Sequence, residues 1–183
     1  KLNDKNDLTV GAEYYKTEVE NDFYVDRKHS IENKAIFLEE RWNFADSWQL
    51  NTGLRYDEHN RYGEEITPKV ALNKKINDNS NVYLSWGKVF KAPTIDQLYY
   101  ISLGGMPCGN PDLNPEKGDV WTLGTNIAVD ENTDISASVF YSDIDNAIDY
   151  TWATPIPTYI NVNKEKRRGL ELSINHEFDE HLQ

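Results

Sequence analysis

Cysteine, basic charge and helical periodicity are all scarce in this chain. Among 183 residues there is one cysteine, Cys108, and one methionine, Met106. A lone cysteine excludes an intrachain disulfide framework and a cysteine-cluster metal site. Lys and Arg number 19 against 31 Asp and Glu, for a net charge of -12. With no basic field to displace counterions from phosphates, no nucleic-acid partner is expected. No apolar run approaches the roughly 20 residues that a spanning helix needs, which excludes a helical membrane protein. A membrane β-barrel stays open, because only alternate strand residues face lipid and mean hydropathy, here -0.73, remains low. The first residues, Lys1, Leu2, Asn3 and Asp4, carry no signal-peptide pattern. The last, His181, Leu182 and Gln183, follow an expected hairpin turn, and both ends read as cuts in a longer protein.

What is present is alternation at period two from end to end. Trp48, Leu50, Thr52, Leu54 and Tyr56 share one face of an expected strand, and Gln49, Asn51, Gly53 and Arg55 the other. Ile66, Pro68, Val70, Leu72 and Ile76 repeat the pattern, as do Leu170, Leu172, Ile174 and Phe178. Further strands are expected at about 7–15, 32–44, 80–90, 119–129, 133–150 and 159–168, the last running on into 169–178, so the chain reads as about eight strands. Several reach the ten or so residues that cross a bilayer at a tilt. Short polar turns at Ala45-Asp46-Ser47, Asn77-Asp78-Asn79-Ser80, Asp130-Glu131-Asn132 and Asp179-Glu180 alternate with longer connections at about 16–31, 57–65, 91–118 and 151–158. In an up-and-down antiparallel meander this puts short turns at one end and long loops at the other, as in outer-membrane barrels. Eleven Tyr and five Trp suit interfacial girdles, and Trp42, Phe44, Trp48 and Phe178 fall near the short-turn end. A tyrosine-rich soluble β-sandwich meets the composition equally well.

Three segments are more specific. Val82-Tyr83-Leu84-Ser85-Trp86-Gly87-Lys88-Val89-Phe90-Lys91-Ala92-Pro93-Thr94-Ile95-Asp96-Gln97-Leu98-Tyr99 pairs a strand with a proline stop and a threonine placed to cap a helical turn. Gly109-Asn110-Pro111-Asp112-Leu113-Asn114-Pro115-Glu116 is a loop on any reading. Tyr159-Ile160-Asn161-Val162-Asn163 precedes Arg168-Gly169-Leu170-Glu171-Leu172, whose Gly169 and Glu171 fall on the polar face. In this order the segments resemble the TonB-dependent outer-membrane receptors, with Lys91 where the family usually has Arg and Gln97 where it has Glu. The likeness covers about 80–178, while 1–79 rest on pattern alone. It implies a barrel of about 22 strands around a plug, of which this chain, an all-β fragment with the plug absent, forms part of the wall. It also implies a receptor that imports a scarce chelate (cobalamin, siderophore-iron or haem) with TonB as partner, in contact with outer-membrane lipid.

Chemistry of other kinds is sparse. No nucleophile motif, phosphate loop or paired-carboxylate signature appears, so neither enzymatic activity nor a cofactor is expected. His29, His59, His176 and His181 lack metal-ligand spacing and read as isolated surface histidines. Asp143, Asp145 and Asp149 suit either a calcium site or, better, a solvated acidic face. Met106 and Cys108, two apart, are a weak candidate pair for a soft metal. Ligand contact is expected in the loop 94–110, at Tyr99, Tyr100 and Asn110. A soluble carbohydrate- or small-ligand-binding β-barrel and an outer-membrane barrel enzyme remain rival readings. An eight-stranded piece of wall is also expected to self-associate through its free strand edges.

Overall fold

Among the described residues each strand after the first pairs with the strand before it. The computed structural model describes residues 5–153 and 155–178. The expected turn at Asp179-Glu180 and His181 lie outside the described residues. One eight-stranded antiparallel sheet runs in sequence order: β1 (Asn6–Glu20), β2 (Lys28–Ala45), β3 (Trp48–His59), β4 (Gly63–Asn77), β5 (Ser80–Lys91), β6 (Glu116–Ala128), β7 (Thr133–Thr151) and β8 (Thr158–His176). The one helix among the described residues, α1 (Ile95–Tyr99), lies between β5 and β6. Short turns gather at one end of the meander, as expected. At the other end the connections are shorter than expected, because β1 continues to Glu20, β2 begins at Lys28, and only three residues separate β3 from β4. The long loop of the molecule is the one at 92–115.

The two faces differ sharply. One carries the exposed apolar side chains, among them Val10, Leu38, Leu54, Leu84, Leu123, Val139, Leu170 and Ile174. On the other, bulky side chains lie flat across cross-strand glycines: Phe37 over Gly11, Lys69 over Gly53, Tyr83 over Gly124 and Phe140 over Gly169. Glycine there lets large groups lie against the wall instead of standing out from it.

The apolar band does not follow the hydrogen-bonded rungs. One unbroken rung runs Trp42, Leu50, Leu72, Leu84, Leu123, Val139, Leu170. On β8 it marks the upper limit of the band, since Arg168 follows Leu170 on that face. On β2 the band continues upward to Ile36, six positions beyond Trp42. A climb of about 20 Å across six interstrand spacings, about 29 Å, means that strands tilt roughly 35° from the normal of the band. Ile36 to Phe44 on β2 and Leu170 to Phe178, two residues past the end of β8, span the same number of residues, a band about 22 Å tall at that tilt. Both tilt and height are those of a membrane barrel wall.

Candidate functional site

On the polar face, near the loop end, β1, β2 and β3 bring five side chains together. Arg55, Asp57 and His59 alternate along β3, and the rungs place Glu13 and Asn33 beside them. The Arg55 guanidinium grips Asp57 with Nε at 2.9 Å from one carboxylate oxygen and Nη2 at 2.8 Å from the other, and Nη2 also reaches Glu13 at 3.2 Å. Asn33 Nδ2 donates to Asp57 at 2.8 Å. Asp57 and Asn33 are buried at 7% and 4% exposure, which is tolerable for a carboxylate only with this bidentate, charge-assisted set of donors. Further ion pairs join the strands: Lys91 with Glu116 at 3.0 Å links neighbours β5 and β6, while Lys69 with Glu39 and Lys117 with Glu65 each reach across an intervening strand. His59 corrects the expectation of a surface histidine: it is 3% exposed, its Nδ1 accepts from the Arg61 backbone N–H at 3.1 Å, and its Nε2 has no partner.

The long loop folds back over this wall. Thr94 caps α1: its hydroxyl accepts from Gln97 N at 3.2 Å, and Gln97 Oε1 accepts from Thr94 N at 2.9 Å. Glutamine thus completes the capping box that glutamate would make. Ile95 and Leu98 are buried with Pro93, Cys108 and Leu113 in a small core of the loop. At Gly109 the chain passes so close to α1 that a Cβ would meet the Leu98 carbonyl at 2.6 Å, so glycine is required there. Backbone bonds from Val25 N to Tyr99 O (3.0 Å) and from Ile101 N to Phe23 O (2.8 Å) join the loop to the β1–β2 connection, and the Tyr24 hydroxyl donates to Asp96. That bond, followed by burial and the carboxylate charge, raises the Tyr24 pKa.

The three segments singled out in the sequence meet here. Asn110 N donates to Gln97 O at 2.8 Å, and Asn110 Nδ2 to Tyr159 O at 2.9 Å. Asn161 Oδ1 accepts from Asn114 N at 2.8 Å, while its Nδ2 donates to Asn114 O at 3.0 Å and to Asn146 O at 2.7 Å. Asn146 sits in the left-handed region at φ 55°. The motifs therefore fasten the loop to the ends of β7 and β8. Tyr99 stacks flat on His29 at 3.6 Å and bonds to Arg61, whose guanidinium also reaches the Pro111 carbonyl. Of the three residues expected to meet ligand, Tyr99 and Asn110 are engaged in fastening the loop to neighbouring segments, whereas Tyr100 is exposed.

On the wall at the root of the loop lies a cavity of about 540 Å³ lined by Glu13, Asn33, Arg55, Asp57, His59 and Val89, among others, with Ala92 from the start of the loop. A larger hollow, about 830 Å³, opens at the short-turn end, but the buried, convergent polar groups are at the loop end. Among the described residues no three His, Cys, Asp or Glu side chains are grouped to hold an ion. Asp143 and Asp145 face Lys164 at 3.2 and 3.6 Å, and Asp143 also faces Lys166 at 3.7 Å. The Cys108 thiol is buried against the Met106 carbonyl at 3.4 Å, while the Met106 side chain is exposed.

Residues 1–182 match the family model described as "TonB dependent receptor-like, beta-barrel". The chain is 28% identical over 179 residues to the vitamin B12 transporter BtuB of Photobacterium profundum, covering 94% of this chain and 28% of that protein. It is 30% identical over 151 residues to BtuB of Vibrio cholerae serotype O1, covering 81% and 23%. In structure it is similar to the siderophore receptor PirA of Pseudomonas aeruginosa, with a TM-score of 0.79 and 26% identity over 91% of this chain and 32% of that one. The chain thus spans about a quarter of the length of the curated relatives it matches. The family is one of transporters, not enzymes, which removes the barrel-enzyme reading, and the soluble-barrel reading falls with the family match. The chain belongs to the TonB-dependent receptors of the bacterial outer membrane and forms part of their β-barrel.

Proposed function

We propose that this chain is a stretch of the barrel wall of a receptor that binds a scarce chelate, such as cobalamin, siderophore-iron or haem, and imports it with energy delivered through TonB. The polar face lines the lumen, the plug and the remaining strands come from elsewhere in the receptor, and the 92–115 loop overhangs the ligand's path. The observation that carries the reading is the cavity on the wall at the root of that loop, floored by the Glu13–Asn33–Arg55–Asp57–His59 cluster. Ligand pockets of this kind combine a preformed hollow with a few oriented polar groups. In this reading Tyr100 offers its exposed ring to the ligand, while Tyr99 and Asn110 hold the loop that presents it. The two relatives are named for vitamin B12 transport and the similar structure for a siderophore, which supports the chelate class and leaves its member to experiment.

The test uses cells that express the full-length receptor, supplied in turn with cobalamin, ferric siderophores and haem. Uptake of one of these is expected with TonB and not without it. Tyr100→Ala is expected to weaken binding about tenfold at unchanged receptor level. Absence of TonB-dependent uptake of all three classes would overturn the reading.

A further inference from the structure

The outward face carries one feature that lipid does not explain. On β2 the apolar band runs from Ile36 to Phe44, and Glu40 lies at its midpoint, about 11 Å from either limit. The register puts Glu40 on the same face as Leu38 and Trp42, between Leu8 on β1 and Thr52 on β3. Its neighbours there are exposed: Val10, Ile36, Leu38 and Leu54 are 69%, 61%, 44% and 51% accessible. Other charged or titratable groups on this face sit at the margins. Lys74 is near the lower limit with its ammonium 4.8 Å from the Trp48 ring, and His176 near the lower limit bonds to Thr133. Lys88, Asp119, Asp143, Lys166 and Arg168 lie at or above the upper limit on β5 to β8. On the opposite face the adjacent Glu39 is paired with Lys69. Among the described residues the Glu40 side chain makes no hydrogen bond or ion pair.

A carboxylate at mid-height is too short to reach either interface, unlike a Lys or Arg that snorkels. Ionisable groups at that depth are costly and are retained where they meet a partner. Acyl chains offer no donor, and a second copy of this wall would set two carboxylates against each other, which like charges disfavour. We propose that the Leu8–Glu40–Thr52 patch is the contact site for a second outer-membrane protein that presents a Lys or Arg from its own apolar surface. The contact is a membrane-embedded ion pair, framed by Val10, Leu38 and Leu54. It rests on the outward face being in lipid and is independent of which chelate the receptor takes.

The experiment uses the full-length receptor in native outer membranes, with a photo-crosslinking side chain at Leu38 and, as a control within the same band, at Leu172. The Leu38 probe is expected to yield one protein adduct whose cross-linked peptide carries a Lys or Arg. Glu40→Leu lowers that yield about tenfold or more, and Glu40→Asp preserves it. The Leu172 probe labels lipid. In pure phospholipid vesicles, where no partner is present, Glu40→Leu makes the purified receptor harder to unfold. The proposal is overturned by lipid adducts alone at Leu38, by an adduct indifferent to Glu40→Leu, or by an adduct with a second copy. It is equally overturned if Glu40→Leu destabilises the purified receptor, which would place the partner within the same chain. A Leu172 probe that labels no lipid removes the membrane placement itself, and this contact with it.

Discussion

Arg55 shows how a single side chain organises the lumen wall. It neutralises a buried Asp57 and holds Glu13, so Arg55→Ala leaves an uncompensated carboxylate at 10% side-chain exposure. The loss is expected to be about 3–5 kcal/mol in urea unfolding of the full-length receptor in vesicles, and Arg55→Leu with Asp57→Leu together should restore most of it. If the single and double variants lose equally, the pair is not the source of the stability. Gly109 acts by its lack of a side chain. Gly109→Ala pushes the loop off α1, and faster proteolysis at the Ser102–Met106 tip is the expected readout. Neither role was fully legible in the sequence. Arg55 is expected on the polar face of its strand, but Asp57 and His59 fall in the connection expected at 57–65, and Asn33 and Glu13 join them only through pairing across strands. Asn110 and Tyr99 drew notice as ligand residues because they are polar and in a loop; the bonds that occupy them come from segments distant in the chain.

The strands were legible wherever one face needs lipid. Trp48–Tyr56 and Leu170–Ile174 alternate cleanly because burial in the band selects every second residue. Above the band that selection ends, since both faces meet polar surroundings. Lys16, Glu18 and Glu20 pair with Glu32, Ser30 and Lys28, so the outward face carries no apolar residue there, and β1 and β2 outrun their expected limits. The band also sets a parity test on β8. Ile174→Arg is expected to cost about 2–4 kcal/mol in vesicle unfolding, whereas Ser173→Arg, facing inward, should fall near zero. Equal costs at both positions would contradict the two-faced wall. The edges of β1 and β8 do not pair with each other among the described residues. The isolated 183-residue chain in detergent is therefore expected to sediment as dimers or larger species, and a stable monomer would show that the edges are protected.

At the scale of the whole molecule the sequence placed the family through the three loop-fastening segments, while the tilt could be obtained only from register. Alternation shows which residues face outward, but the slope of the band needs the rungs that link Trp42 to Leu170 across seven strands. That slope is the feature by which a tilted barrel wall differs from a soluble sheet with one greasy face. The direct measurement is the bilayer depth of spin labels at Trp42 and Leu170 in the full-length receptor, read by collision with oxygen and with an aqueous nickel chelate. A wall tilted by roughly 35° puts the two labels about 16 Å apart in depth, on opposite sides of the midplane. Labels at equal depth, or both open to the aqueous chelate, would contradict the account.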